Sequence, residues 1–282
     1  MHRKSIIIVG CGDLGTRLGI QLSELGHEVY GVRRSKHALP EPLKAIIGDV
    51  SCMTSLASCW PEKAFDYVIY CLAASEYSEE GYKSAYVTGL QNVLKKLQDK
   101  HPKRVFFVSS TSVYEQSEGE IVSESTPVEP QRFAGAVMLK AEQLLEAASY
   151  PATVVRFAGI YGPGRERLIK KVRAGDVCSK DSNPISNRIH IEDCVGLLAH
   201  LIKLDCMGQP LKDCYIGVDN EPAPLREVTL WLAKQLGVRP VKEVPMGRGG
   251  SKKCSSQRII NSGYQFKYPS YRDGYQALLE ND

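Results

Sequence analysis

The sequence predicts a doubly wound α/β fold, a parallel sheet with helices on both faces, carrying a small C-terminal lobe. Three observations predict it. The chain opens on an apolar run, Ile6–Val9, that ends in Gly10, Gly12 and Gly15. Short apolar segments then alternate with amphipathic ones, at 28–32, 45–47, 67–71, 104–108 and 153–157, the rhythm of repeated strand–helix–strand units. At 282 residues the chain also has the length for one large α/β domain and a smaller attachment.

Ile6–Val9 is continuously apolar, as a strand buried on both faces must be. Leu14, Leu18, Leu22 and Leu25 follow at helical spacing. Between strand and helix, Gly10 permits a tight turn, Gly12 lets the backbone approach a pyrophosphate, and Gly15 lets helix and strand pack closely. The first-turn N–H groups, from Asp13 and Leu14 onward, add roughly +0.5 charge at that point. A dinucleotide is the ligand this arrangement suits, with an ordinary glycine turn as the competing reading.

The second strand, Glu28–Val32, ends in Arg33-Arg34-Ser35. An acidic residue about 20 positions past the glycines would hold the ribose hydroxyls of NAD. Two guanidinium groups suit a 2′-phosphate instead, so NADP is preferred, with NAD as the alternative. A solvated basic loop is the structural alternative. After the short strand Ala45–Ile47 come Asp49 and Val50. They can meet an adenine ring, or Asp49 can cap the helix that starts near Cys52; the residues leave both open. Tyr67–Cys71 is a fourth strand, and the small residues of Leu72-Ala73-Ala74 leave room for ribose and pyrophosphate at the sheet crevice. Glu76 and Tyr77 face the same mouth as substrate contacts or as loop caps. A helix over 81–97 leads to the strand Arg104–Val108, which ends in Ser109-Ser110-Thr111-Ser112-Val113-Tyr114.

Apolar content of 43% and charged content of 24% are ordinary for a globular protein. A net charge of +4 with no basic stripe argues against nucleic acid. No stretch approaches the ~20 apolar residues that cross a bilayer, and the basic start His2-Arg3-Lys4 is followed by too short an apolar run for a signal peptide. Nine cysteines form no C-x-x-C pair, which fits free thiols in a reducing cytoplasm and gives no metal site.

By Tyr114 the motifs resemble a known family. The glycine fingerprint, Gly48-Asp49-Val50, Leu72-Ala73-Ala74, Gly89 with Asn92, and the Val108–Tyr114 segment are similar to the extended short-chain dehydrogenase/reductases. The branch is that of the NAD-dependent epimerase/dehydratases, with their Rossmann fold. Val154–Arg165 and Arg188–Ile202 continue the resemblance, which covers about residues 5 to 237. It implies that Ser110 polarises a substrate oxygen, with Thr111 and Tyr114 beside it. It also implies that Phe157 and Gly159 stand near the nicotinamide end. The helices at 81–98 and 132–148 correspond to a dimer interface in many relatives, so a homodimer is compatible, although their apolar faces can equally bury against the sheet.

One part of the pattern is missing. The family's proton donor is a Tyr-x-x-x-Lys pair on the helix Arg132–Ala148. One alignment puts Ala134 and Met138 at those positions, and the other puts Ala136 and Lys140 there. Neither supplies a phenol. Tyr77, Glu76, Tyr114 and Tyr161 belong to segments that line the same mouth and are candidate replacements. Glu115 departs as well, where the family generally has glycine.

In the second half, 115–131 reads as a polar surface loop and Ala158–Gly164 as a glycine-rich crossover. Arg165, Arg167 and Arg188 can clamp an anionic substrate, although a solvated face is the ordinary role of such a run. Asp193 sits where a helix begins. Cys214–Val218 reads as a strand, Pro224–Leu236 as a helix, Lys242–Val244 as a strand, and Gly247–Lys253 as a basic loop. The expected nucleotide domain covers 1–157 and about 188–205, and the substrate lobe covers about 158–187 and 206–282. Two functions fit. One is an NADP-preferring oxidoreductase or epimerase/dehydratase-like enzyme acting on a small carbonyl or sugar-nucleotide-like substrate. The other is a non-catalytic NADP(H)-binding sensor or interaction protein.

Overall fold

A computed structural model describes residues 2–35, 38–247 and 250–280. Arg248 and Gly249, within the basic loop expected at 247–253, lie outside the described residues. The chain divides into two compact units. The first comprises Met1–Val113, Val128–Arg156 and Val195–Tyr215, and the second Tyr114–Pro127, Phe157–Cys194 and Ile216–Asp282. Thus Tyr114–Pro127 falls in the second unit, and the chain's return to the first begins at Val195 and runs to Tyr215.

The strands of the first unit are β1 (Ser5–Val9), β2 (Glu28–Arg33), β3 (Lys44–Ile47), β4 (Tyr67–Tyr70) and β5 (Arg104–Ser110). After the two-residue β6 (Ile121–Val122), β7 (Ala152–Phe157) rejoins the sheet. The remaining strands are β8 (Gly159–Tyr161), β9 (Asp176–Cys178), β10 (Ile185–Ser186), β11 (Arg188–His190), β12 (Cys214–Gly217), β13 (Ala223–Pro224), β14 (Lys242–Val244) and β15 (Lys253–Cys254). The parallel seven-stranded sheet runs β12-β7-β5-β4-β1-β2-β3. Every residue of Ile6–Val9 and Tyr67–Tyr70 is fully buried, because helices cover both faces and no side of these strands reaches water. The chain winds outward from β1 through β2 to β3, then from β4 in the opposite direction. The order therefore reverses between β1 and β4, and a crevice opens at their carboxyl ends.

One helical feature differs from the sequence expectation. The segment expected as one helix over 81–97 is built in three pieces: α3 (Glu79–Tyr82), a π-helical turn (Lys83–Thr88) and α4 (Gly89–Lys96). In the turn the Gly89 N–H reaches back five residues to the Ser84 carbonyl. The freed carbonyl of Ala85 is taken by the phenol of Tyr70, from β4. A side chain inserted into the helical ladder is a recognised cause of such a bulge. The helix α5 (Phe133–Glu146) is fastened underneath: Glu142 receives Arg156 Nε at 3.0 Å, an Arg156 terminal nitrogen at 2.6 Å and the Ser109 hydroxyl at 2.5 Å.

The second unit gathers α6 (Arg167–Arg173), α8 (Leu225–Gln235) and α10 (Tyr271–Glu280) around a core containing Ile169, Val172, Val228, Leu232 and Tyr275. Asp193, in α7 (Ile191–Cys206), ties in the tail. Its carboxylate accepts from the Tyr264 hydroxyl at 2.8 Å and from the Lys267 and Tyr268 amides at 2.7 and 2.9 Å. Burial pushes that carboxyl upward, and these bonds pull it back.

Cys11, Cys71, Cys178, Cys194 and Cys254 are buried free thiols, whereas Cys52 is exposed. A hydrogen bond to the Thr54 hydroxyl at 3.1 Å pulls the Cys52 thiol below its ordinary range. Iodoacetamide at neutral pH should therefore modify Cys52 first, about tenfold faster than any other cysteine. Peptide mass mapping over time checks this, and earlier modification of Cys11 or Cys71 would contradict it.

Candidate functional site

The crevice of the first unit is built from backbone. Gly10 adopts φ +106°, and a Cβ there would lie 2.7 Å from the Leu72 nitrogen. A Cβ on Gly15 would run into the Gly10 carbonyl, whereas one on Gly12 would meet nothing within 4 Å. Gly10 and Gly15 are thus demanded by packing, whereas at Gly12 the space in front of the turn is open. Gly12 is the N-cap of α1 (Asp13–Glu24), and the first intrahelical bond runs from Thr16 N to Gly12 O at 2.9 Å. The amides of Leu14 and Gly15 precede it in the first turn, where a helix offers no carbonyl four residues back. The Asp13 carboxylate is paired with Arg17 at 2.6 Å, which offsets its charge at the helix start.

Arg33 ends β2 beside this turn. Its charge draws down the Cys11 thiol, which burial pushes up to about 12. The Arg33 Nε is buried with no hydrogen-bond partner among the described residues. Arg34 is exposed. The Asp49 carboxylate accepts the Ser51 amide at 2.9 Å and the Ser51 hydroxyl at 2.6 Å. This turn leads into α2 (Met53–Cys59), whose N-cap is Cys52, so Asp49 orders the approach to the helix rather than its cap. Val50 is buried, and its carbonyl accepts the Asn92 amide at 2.8 Å.

At the other half of the crevice, β5 alternates its two serines. Ser109 points inward to Glu142, and the half-buried Ser110 faces the opposite side. The Ser110 hydroxyl accepts the Ser112 amide at 3.1 Å and starts the 3₁₀ turn Thr111–Val113. Across it, α5 buries Ala134 and Met138 and exposes Ala136 and Lys140. No phenol stands on this helix. Aromatic rings gather nearby instead. Tyr77 lies 5.0 Å from Phe133 and 5.6 Å from Tyr82, and Tyr82 lies 5.2 Å from Tyr86, between ring centroids. Tyr86 in turn receives the Ala74 amide on its phenol oxygen at 3.3 Å. Tyr82 and Tyr86 are absent from the sequence-based set of site residues. Their spacing of four on one helical face was the signal that pointed to them. Leu72 and Ala74 are half-buried, and Ala73, Glu76 and Tyr77 are exposed.

The remaining residues of that set belong to the second unit. Tyr114 is buried, and its phenol donates to the Ser123 carbonyl at 2.9 Å. Phe157 is buried; Gly159 is exposed and donates its N–H to Asn187 O at 3.2 Å. Arg165 is exposed in a surface cleft of about 480 Å³ with Arg167, Lys170 and Lys171. Arg188 is apart from that cleft and only 5% exposed. Its guanidinium lies 5.7 Å from the Tyr271 ring centre. It also opposes the burial that pushes Asp219 up to about 8. Tyr161 is buried between His190 and Tyr275, with ring centres 5.3 and 4.5 Å away, and burial pushes its phenol upward. Among the described residues there is no cluster able to hold a metal, and no helix is long and apolar enough to cross a membrane.

Comparison with the curated proteins finds no match. The sequence profile of the NAD dependent epimerase/dehydratase family matches residues 6–211. The chain belongs to that family. Among solved structures, this chain is similar to a protein of NAD-dependent epimerase/dehydratase type from Methylobacillus flagellatus. The two are 38% identical, with 99% of this chain and 98% of the other covered at a TM-score of 0.83. Human epimerase family protein SDR39U1, solved with NADPH, is 22% identical and covers 98% of this chain and 100% of its own at a TM-score of 0.77. MoeE5, solved with UDP-glucose and NAD, is 22% identical over 98% of this chain and 97% of its own, at a TM-score of 0.79. At these lower identities the likeness speaks for the fold. The family and the doubly wound architecture expected from the motifs are both shown.

Proposed function

We propose that this epimerase/dehydratase is an NADP-preferring oxidoreductase or epimerase-like enzyme acting on a small carbonyl or sugar-nucleotide-like substrate. One observation carries the cofactor half: the buried Arg33 Nε that lacks a partner among the described residues, beside a glycine turn with open space before Gly12. An N–H left unpaired in the interior is costly unless a ligand completes it. A 2′-phosphate supplies the acceptor, and Arg34 adds a second charge from the solvent side. The amides of the first turn of α1 receive the pyrophosphate. A nicotinamide dinucleotide supplies hydride chemistry when bound. Ser110 then orients the substrate oxygen by hydrogen bonding and favours the charge that develops on it. The NADPH complex of SDR39U1 and the NAD complex of MoeE5 support a nicotinamide dinucleotide, and the UDP-glucose of the latter supports a sugar-nucleotide-like substrate.

Fluorescence titration with NADPH and NADH tests the cofactor half. Replacing Arg33 and Arg34 together by alanine should weaken NADPH about 10–100-fold, the worth of one or two charge-assisted bonds. NADH should change by less than about threefold. Equal loss for both nucleotides would remove the 2′-phosphate from the site.

A second reading, a non-catalytic NADP(H)-binding sensor, is favoured by one observation: α5 buries Ala134 and Met138 where a phenol and an ammonium would act. The two readings part on turnover. Oxidation of NADPH with aldehydes or sugar nucleotides, slowed by Ser110→Ala, belongs to the enzyme; tight binding without turnover belongs to the sensor.

A further inference from the structure

We propose that Tyr86 is the acid of this site, delivering from the π-helical turn the proton that α5 has no phenol to deliver. This rests on the reading above that a nicotinamide dinucleotide binds along the crevice.

Three observations place Tyr86 there. The first is its anchorage. The π-helical turn is pinned by the Tyr70 phenol on the Ala85 carbonyl, and the next residue, Tyr86, brings its oxygen to 3.3 Å from the Ala74 amide. The second is position. β4 and β5 run parallel with Tyr70 level with Phe107. β4 ends at Tyr70, four residues before Ala74, and its neighbour β5 ends at Ser110. The amide that holds the phenol and the Ser110 hydroxyl thus belong to the carboxyl-terminal ends of two adjacent strands of one sheet. The third is the state of the hydroxyl. Its oxygen accepts the Ala74 N–H, which leaves its own proton to donate elsewhere. Burial and the neighbouring Tyr82 raise the phenol's pKa, outweighing the Ala74 bond, so it is protonated at neutral pH. Tyr77, by contrast, is 56% exposed.

The step balances as follows. Hydride from the reduced nicotinamide forms a C–H bond at the substrate carbonyl carbon, and the C=O π electrons move to oxygen. That oxygen takes the Tyr86 proton as the phenol O–H bond breaks. The phenolate is reprotonated by water, and the dinucleotide is left oxidised. Epimerisation uses the same transfer in both directions.

The test needs no substrate. The oxidised nicotinamide is cationic, so bound NADP⁺ should lower the pKa of the phenol beside it by about one unit or more. The phenolate absorbance of the protein is titrated with and without saturating NADP⁺. One tyrosine should shift on binding, and the shift should vanish in Tyr86→Phe while persisting in Tyr77→Phe and Tyr82→Phe. NADPH affinity within about twofold of the parent shows that Tyr86→Phe is folded. A ring-fluorinated tyrosine at position 86, which keeps the hydroxyl, should move the same transition to lower pH. A shift that survives in Tyr86→Phe, or bound NADP⁺ that moves no phenol, overturns the role of Tyr86 and leaves the cofactor reading standing. Failure of the parent protein to bind either nucleotide overturns both.

Discussion

Arg156→Met is expected to destabilise the protein by about 3–5 kcal/mol in urea denaturation, the usual cost of breaking a buried ion pair from one side. Arg156 and Glu142 have side chains only 9% and 7% exposed and meet through two bonds. Removing the guanidinium leaves a carboxylate inside the first unit with only the Ser109 hydroxyl against it. Replacing both partners, Glu142→Met with Arg156→Met, should recover most of the loss, because two apolar side chains leave no buried charge unpaired. A single variant within about 1 kcal/mol of the parent would mean that water or another group reaches Glu142. The pair joins β7, α5 and, through Ser109, the residue before Ser110. The single variant should therefore also loosen the end of β5.

Gly12→Val should lower NADPH affinity about 5–150-fold, as a 1–3 kcal/mol overpacking penalty implies, while shifting the melting temperature little. The reason is the contrast among the three glycines. At Gly12 the protein leaves 4 Å of clear space around an added Cβ, and the backbone, with φ −80°, suits any residue. Only a ligand would feel the side chain. Gly10→Ala serves as the control. Its Cβ would meet the Leu72 backbone, and its φ is +106°, so stability should fall along with binding. Calorimetric melting beside nucleotide titration separates the two. Unchanged NADPH affinity in Gly12→Val would place the pyrophosphate elsewhere.

Much of the crevice was legible in the sequence because it is written in neighbouring residues. Ile6–Val9 is apolar without interruption, the glycines follow at fixed spacing, and Arg33 stands at the end of the next strand. What was not legible depends on residues far apart in the chain. The π-helical turn exists because Tyr70 reaches the Ala85 carbonyl from another strand, and no local pattern in Lys83–Thr88 announces it. Asp193 stands in the first turn of α7 as expected, but its partners Tyr264, Lys267 and Tyr268 lie some seventy residues away. The burial of Arg188 within β11, where every residue is buried, likewise depends on elements distant in the chain. Tyr114 looked like a mouth residue, but its phenol is spent on Ser123.

The reversal of strand order between β1 and β4 has a consequence for how such a protein changes over time. In the proposed function, phosphate recognition belongs to β1, α1 and the tip of β2, and the reacting end to β4, β5 and the helices after them. Sequence drift on one flank need not disturb the other. A lineage can lose its inherited proton donor and recruit a new one while its grip on the nucleotide stays whole.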